Sequence, residues 1–434
     1  MKLEIESLPK GWEVLKVEDI QAEEKGATVT GPFGSSIGRK YFVDEGVPVI
    51  RGNNLTKGQK KYVDDGYVFV SEEKFQELYR CHAIPDDIIF TAAGTIGQVG
   101  ILPKDSKYQK YLISNKQMRL RVDIEKVLPL YVYYWFSSPA MIKMIERSNT
   151  GSTVPLINLT ILRDLPIVVP PIEVQQKIVS ILENLTNKTS LNNKINQTLE
   201  KMAMALYNHW FVDFGPFQDL EFVETELGMI PEGWEVVTLK DVVAVNKNNI
   251  KNDYPYKNIL YIDISSVFEG KLEGYTEYSL SDAPSRAKRL VNDGDIIWST
   301  VRPNRKSYLY MHKPYSNTIV STGFAVLSPI KIPSSFLYLH VITNKFVSYL
   351  VNNAKGSAYP AVNASTFKEA KLCLPSKEVI NNFNNLVSPL INLKNENETE
   401  NVKLTLTRDY LLPKLLSGEV DLSGVEETVE KIMQ

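Results

Sequence analysis

The stretch Thr300-Val-Arg-Pro-Asn-Arg-Lys306 carries Arg302, Asn304, Arg305 and Lys306, and Arg286, Lys288 and Arg289 form a second basic group shortly before it. Side chains of these types suit nucleic acid. Arginine pairs bidentately with guanine and asparagine with adenine, while Lys and Arg neutralise phosphates. Nearer the start, Gly31-Pro-Phe-Gly-Ser-Ser-Ile-Gly-Arg-Lys40 is a Gly/Ser loop that contains Ser35 and closes on Arg39 and Lys40. It is followed by Ile50-Arg-Gly-Asn-Asn-Leu-Thr-Lys57, which offers Arg51, Asn53, Asn54 and Lys57. The small-residue turn Ala92-Ala-Gly-Thr-Ile-Gly97, with Thr95 at its tip, lets backbone come close to a partner.

Signatures of catalysis are missing beside these groups. The chain contains no phosphate loop of the form GxxxxGK[ST], so ATP-driven motion is not intrinsic to it. Val169-Pro-Pro-Ile172 lacks the polar first residue and aromatic last residue that hold a flipped base, and Gly31-Pro-Phe-Gly34 does not fit the glycine spacing of a methyl-donor loop. Glu72-Glu-Lys74 near Pro85-Asp86 bears a loose likeness to a metal nuclease signature. His82, His209, His312 and His340 are isolated in sequence, and Cys81 and Cys373 lack metal-ligand spacing, so neither a zinc site nor a disulfide framework is expected.

The elements that must hold the basic loops occur twice. Leu8-Pro-Lys-Gly-Trp-Glu-Val14 returns as Ile230-Pro-Glu-Gly-Trp-Glu-Val236, Asp87-Ile-Ile-Phe-Thr91 as Asp295-Ile-Ile-Trp-Ser299, and Gly151-Ser-Thr-Val-Pro-Leu-Ile-Asn158 as Gly356-Ser-Ala-Tyr-Pro-Ala-Val-Asn363. Their order is kept while the separation shortens, which describes two modules with common ends and different interiors. The loop Thr300–Lys306 then falls where the first module has Ala92–Gly97. Catalytic residues carried by the repeat would be repeated too, and none is.

Short apolar runs such as Val47–Ile50, Ile88–Phe90 and Met118–Val122 read as strands. Tyr131–Phe136 with Met141–Ile145, and Phe336–His340 with Phe346–Leu350, read as helix pairs, so each module is mixed α/β. Each ends on a proline exit, Val169-Pro-Pro171 and Leu374-Pro375, which stops a strand and starts a helix. After the first exit, Ile178, Ile181, Leu185, Ile195, Leu199, Met202 and Leu206 mark an apolar stripe interrupted by Lys188 and Asn192. After the second, Val379, Phe383, Leu386, Leu390, Leu393, Leu404 and Leu411 do the same, with Asn397 and Glu400 as polar occupants. These patterns predict two helices of about 35 to 40 residues, on the order of 50 to 60 Å each, packed antiparallel as a spacer, with Pro389 bending the second.

The resulting division is 1–170, a first recognition module; 171–226, a central helical region; 227–375, a second module; and 376–434, a terminal helical region. A length of 434 residues suits two domains, and 43% apolar with 23% charged residues is the make-up of a soluble globular protein. The net charge of −2 argues against non-specific coating of nucleic acid, although local loops differ from the total. No run reaches membrane-spanning length and the first residues have no apolar leader, so a cytoplasmic protein without membrane contact is expected.

Taken in order, these pieces resemble the specificity subunits of Type I restriction-modification systems. The resemblance is carried by the paired Pro-x-Gly-Trp starts, Gly31-Pro-Phe-Gly-Ser35, Pro48-Val-Ile-Arg-Gly-Asn53, Gly94-Thr-Ile-Gly97 and Gly294-Asp-Ile-Ile-Trp-Ser-Thr-Val-Arg-Pro303. The Pro-Pro exit with Gln175-Gln176, Trp210-Phe-Val-Asp-Phe214, and Leu411-Leu-Pro-Lys-Leu-Leu-Ser-Gly418 complete it, and together they cover essentially the whole chain. It implies an α/β (α+β) protein of two similar target recognition domains, joined by two long antiparallel helices with pseudo-two-fold symmetry. Each domain would read half of a bipartite double-stranded DNA site. The chain would be non-catalytic and bind no cofactor, docking two methyltransferase subunits and restriction subunits that use S-adenosylmethionine, ATP and Mg2+. Trp210, Phe211, Phe214, Leu411 and Leu412 would belong to the docking surface; alternatively they are apolar helix ends packed on their own modules. Competing functions are a self-sufficient modification or restriction enzyme and a protein-binding repeat scaffold.

Overall fold

The structure is a computed structural model that describes residues 8–58, 60–106, 108–251, 253–420 and 422. The chain divides into two compact units, one running to Asn187 and resuming at Thr405, the other Lys188–Leu404. Both divisions fall inside the long helices. The reason is packing. Ile178 and Leu182 are buried with Leu412, Leu415 and Leu416 in the first core, while Ala203, Tyr207 and Phe211 are buried with Ile380, Phe383, Val387 and Ile391 in the second.

In the first unit, Thr28–Thr30, Gln117–Leu120, Ile88–Thr91 and Val99–Ile101 form an antiparallel sheet in that order. A second sheet orders Phe42–Val43, Val68–Val70, Val47–Ile50, Tyr111–Ile113 and His82–Ala83, with one parallel pair that sets Val49 beside Leu112. Val47–Ile50, Ile88–Thr91, Tyr111–Ile113 and Gln117–Leu120 are buried at every position, as their unbroken apolar character requires. Thr91, Gln117 and Arg119 are the polar exceptions; the Arg119 guanidinium donates to the carbonyls of His82 and Gly26 and lies 4.0 Å from Asp87. The expected strand Met118–Val122 is shorter, and Val122 makes only an isolated bridge to Gln21.

The second unit repeats this plan. Val243–Val245, Phe324–Pro329, Ile296–Ser299 and Tyr308–Tyr310 have the same order, and the parallel pair returns as Leu260 beside Thr318. Glu13–Lys16 pairs with Pro166–Val169, and Glu235–Thr238 with Lys371–Leu374, so each module closes its beginning onto its end. Local chemistry repeats as well. Trp12 and Trp234 each donate a backbone N–H to the proline carbonyl three residues earlier, both at 3.2 Å. Asn158 and Asn363 cap the short helices Leu159–Asp164 and Ala364–Glu369 with the same backbone angles, φ −115 and ψ 176, their Oδ1 atoms accepting from Ile161 and Thr366 N–H at 2.9 and 3.0 Å.

The long helices are Ile172–Phe211 and Lys377–Ser417, the second continuing through both Pro389 and Pro413. Their inward faces differ from the expected stripes. Met202 is 49% exposed and Leu393 45%, and Ile195 and Leu386 also face outward. Asn192 and Leu199, both on the expected stripe, are buried, as are Asn196, Ala203 and Tyr207, and on the second helix Val387, Ile391, Lys394 and Asn401. Amides can occupy this seam because they satisfy one another. Asn192 Nδ2 donates to Asn401 Oδ1 at 3.0 Å and to Glu400 at 2.7 Å, Asn397 Nδ2 donates to Asn196 Oδ1 at 2.9 Å, and Asn196 donates to Glu398.

Candidate nucleic-acid interface

In each unit, several loops meet at one end of the sheets, and backbone hydrogen bonds fix them there. In the first, Gly31 N–H donates to the Gln117 carbonyl, Ala92 N–H to Lys116, Gly94 N–H to Pro155, and Ile157 N–H to Ala92. The Gln98 amide donates to the carbonyls of Gly52 and Leu55, which ties the turn after Ile50 to the same rim. Loops 31–40, 51–58, 92–98 and 114–117 thus stand together with Arg39, Lys40, Arg51, Lys57 and Lys116 among them and no carboxylate in their sequences.

The sequence candidates on this rim separate by environment. Ser35, Arg39, Lys40, Asn53 and Thr95 are exposed. Asn53 Nδ2 and Arg51 Nη2 both donate to the Gly66 carbonyl, at 3.1 and 3.2 Å, and Lys57 is paired with Glu146. Asn54 does not fit the reading role expected of it. It is fully buried, accepts from Arg51 N–H, and donates to the carbonyls of Val63 and Asp65 at 2.9 and 2.8 Å, so every polar atom of its amide is used to fold the loop. Phe33 was not singled out from the sequence, yet it is 89% exposed at the tip of the first loop.

The second unit holds its loops by equivalent bonds. Thr300 N–H donates to the Gly323 carbonyl, Arg302 N–H to Pro360, Val362 N–H to Thr300, and Ser299 N–H to Ser307 where the first unit has Thr91 to Gln98. This pairing equates Arg302 with Gly94 and Lys306 with Gly97. All four have left-handed backbone, with φ of 50 and 52 at Arg302 and Lys306 and of 94 and 88 at the glycines. Two cations therefore occupy positions that glycine adopts without strain. The Arg302 guanidinium stacks 4.4 Å from the centroid of Tyr359, a ring 69% exposed, and donates to the Ala358 carbonyl at 3.3 Å.

Asn304, Arg305, Arg286 and Lys288 are exposed, and Lys306 is half-buried. Arg286 joins this rim, since its carbonyl accepts from Thr322 N–H at 2.8 Å. Burial raises the nearby Asp263 carboxyl, but hydrogen bonds from Ser265 and Tyr261, with the charge of Arg286, hold it below the ordinary value overall. Arg289 is half-buried with a buried Nε lacking a partner among the described residues, and burial lowers its pKa. Tyr359, like Phe33, was missed: its only sequence signal is an aromatic residue in a Gly/Ser/Ala loop.

The expected docking residues lie elsewhere. Phe211 is buried, packing edge-on against Phe336 and Phe383, Trp210 packs on Phe217 and Phe383, and Phe214 on Trp234. Leu412 is buried in the first core, with Leu411 partly buried against it. Phe211 and Leu412 are thus packed inside as the apolar helix ends of the alternative reading, while Trp210, Phe214 and Leu411 are only partly buried. Nor do the nuclease-like carboxylates converge: Glu72 is paired with Lys110 at 2.8 Å and Asp86 with Lys104 at 3.0 Å.

Residues 9–201 and 231–406 each match the family described as the Type I restriction modification DNA specificity domain. The chain is 26% identical over 427 residues to the type I restriction enzyme MjaIX specificity subunit of Methanocaldococcus jannaschii, covering 96% of this chain and 95% of that protein. It is 26% identical over 383 residues to the HindI specificity subunit of Haemophilus influenzae, covering 73% and 83%. Its fold is like that of the Type-I restriction-modification S subunit from M. genitalium, with a TM-score of 0.54 at 16% identity over 96% of this chain and 98% of that one. The two matched segments fall on the two structural repeats, one on each, and the chain accordingly belongs to the type I restriction-modification family as a DNA specificity subunit.

Proposed function

We propose that each unit reads one half of a bipartite double-stranded DNA site through its loop rim, and that the chemistry is done by other subunits. The observation carrying this reading is the shared main-chain scaffold: Gly94 to Pro155 and Arg302 to Pro360 are the same bond, hung with different side chains. A fixed frame with exchangeable loops is what two related readers of different sequences need. Arg302, Asn304 and Arg305 are the leading base-reading candidates of the second unit, with Arg286, Lys288 and Lys306 beside them; Arg39, Lys40, Arg51 and Asn53 are those of the first.

Two methyltransferase subunits and restriction subunits are the proposed partners, and S-adenosylmethionine, ATP and Mg2+ are assigned to them. Docking falls to the outward faces of the long helices rather than to Trp210–Phe214. Leu191, Ile195 and Met202 on the first helix, and Leu386 and Leu393 on the second, are exposed apolar side chains at helical spacing. The test is exchange of residues 227–375 for the matching segment of a relative, followed by mapping of methylated adenines in cells that carry the partner subunits. One half of the methylated sequence should change. A change in both halves, or in neither, rejects independent reading.

A further inference from the structure

The loop that carries Phe33 is held rigidly against its own unit, but the ring itself packs on nothing there. Gly31 N–H donates to the Gln117 carbonyl at 2.9 Å, and a Cβ on Gly31 would collide with the Ser114 carbonyl, so the chain leaves the strand in one direction. Pro32 is buried, and the turn Gly34–Ser36 closes on Phe33 with Ser36 N–H donating to its carbonyl at 2.8 Å. The ring is 89% exposed and has no aromatic partner among the described residues. Between Thr30 and Tyr41 the charged residues are Arg39 and Lys40, both exposed, and Lys116 is exposed on the adjoining turn.

A docking patch for protein is built from several apolar side chains together. Here the other bulky apolar residues of the loop, Pro32 and Ile37, are turned inward, and the surroundings are cations, hydroxyls and Asn115. A rigid apolar projection flanked by Arg39, Lys40 and Lys116, with Val154 and Leu156 the other exposed apolar residues on the rim, matches the way proteins wedge a side chain into a DNA base step. The second unit lacks it. There the chain leaves the equivalent strand after Val245, with Asn246 N–H donating to the Val326 carbonyl, and Lys247, Asn248 and Asn249 follow. Its exposed ring, Tyr359, is already stacked with Arg302.

We infer that Phe33 inserts between adjacent base pairs of the half-site bound by the first unit, unstacking one step there and giving that unit a reading by deformability that the second does not use. The inference rests on the proposed DNA reading of the loop rims. The experiment uses the full chain assembled with its methyltransferase subunits, on duplexes in which a fluorescent base analogue replaces successive bases of the first unit's half-site. Wild-type protein should brighten the analogue at a single step. Phe33→Ala should abolish that signal and weaken specific binding roughly tenfold to a hundredfold, the scale of one lost base stack, with the melting curve unchanged. Phe33→Leu should keep most of both.

A footprint over the half-site with no step-specific brightening would overturn the wedge and leave the DNA reading standing. Absence of any footprint from the first unit would remove both. Normal DNA binding by Phe33→Ala combined with loss of methyltransferase subunits on gel filtration would overturn it in favour of a protein contact.

Discussion

Replacing Arg302 and Lys306 by glycine restores, in the second unit, the residue type that the first carries at Gly94 and Gly97. Two effects then act in opposite directions. Left-handed backbone costs a side-chain-bearing residue about 1 to 2 kcal/mol, which glycine recovers, less about 0.5 to 1 kcal/mol for the freer unfolded chain. Arg302→Gly also removes the stack on Tyr359 and the bond to Ala358, an exposed pair that contributes about 0.5 to 1 kcal/mol. Folding stability should therefore change by less than about 1 kcal/mol at Arg302→Gly and rise by at most about 1.5 kcal/mol at Lys306→Gly. Binding should not be so balanced, since loss of an arginine at a base edge costs about 1 to 3 kcal/mol, or roughly 5- to 150-fold in affinity.

The measurements are urea unfolding of the full chain and affinity for specific and scrambled duplexes at several salt concentrations. Discrimination lost at Arg302→Gly marks a base contact. Equal weakening on both duplexes, with the salt slope reduced by about one, marks a phosphate contact. Unchanged affinity on both, or an unfolding midpoint that falls in step with affinity, would refute the reasoning that this loop gives up backbone comfort for recognition.

Three further outcomes are expected. Asn54→Ala should destabilise the protein by about 1 to 3 kcal/mol in urea unfolding, because it strands the Val63 and Asp65 carbonyls, whereas Asn53→Ala should leave unfolding unchanged and lower affinity for specific duplex. Met202→Asp with Leu393→Asp should reduce co-purification of methyltransferase subunits without moving the melting temperature; retention of full assembly would clear that face of a docking role. Burial, with the nearby Lys345, holds the His340 pKa down at about 4 from 6.5, so between these values the unfolded chain binds a proton that the folded chain refuses. Stability should be complete above pH 6.5 and fall by about 3 kcal/mol as pH drops towards 4, a slope that His340→Gln should flatten.

The repeat was legible because its signals are local. A Pro-x-Gly-Trp turn, an asparagine cap and a proline exit each determine their own few residues of backbone, so their recurrence marked the two ends of each module. The inner faces of the long helices were not legible in the same way. Counting apolar positions set Ile195 and Met202 inward beside Asn192, but an interior asparagine paired with another amide is as acceptable as leucine, and Asn196 is buried where Ile195 and Met202 are exposed. Asn53 and Asn54 illustrate a second limit: neighbouring residues of one type offer the same hydrogen bonds to a base or to a loop carbonyl, and burial alone tells them apart. The equation of Lys306 with Gly97 needed the backbone bonds of both units, since the loop of the second unit is one residue longer.

The amide layer between the long helices has a consequence for partner choice. An apolar seam tolerates sliding by a turn, and it would as readily accept a helix from another molecule. Asn192 against Asn401 and Asn196 against Asn397 permit neither, because any other alignment leaves amides facing leucine or isoleucine with their hydrogen bonds unmade. The layer works as a keyed joint. Some adhesive strength is given up there, the Nδ2 atoms of Asn395 and Asn401 lacking partners among the described residues, so that one alignment within one chain makes the cross-helix amide bonds.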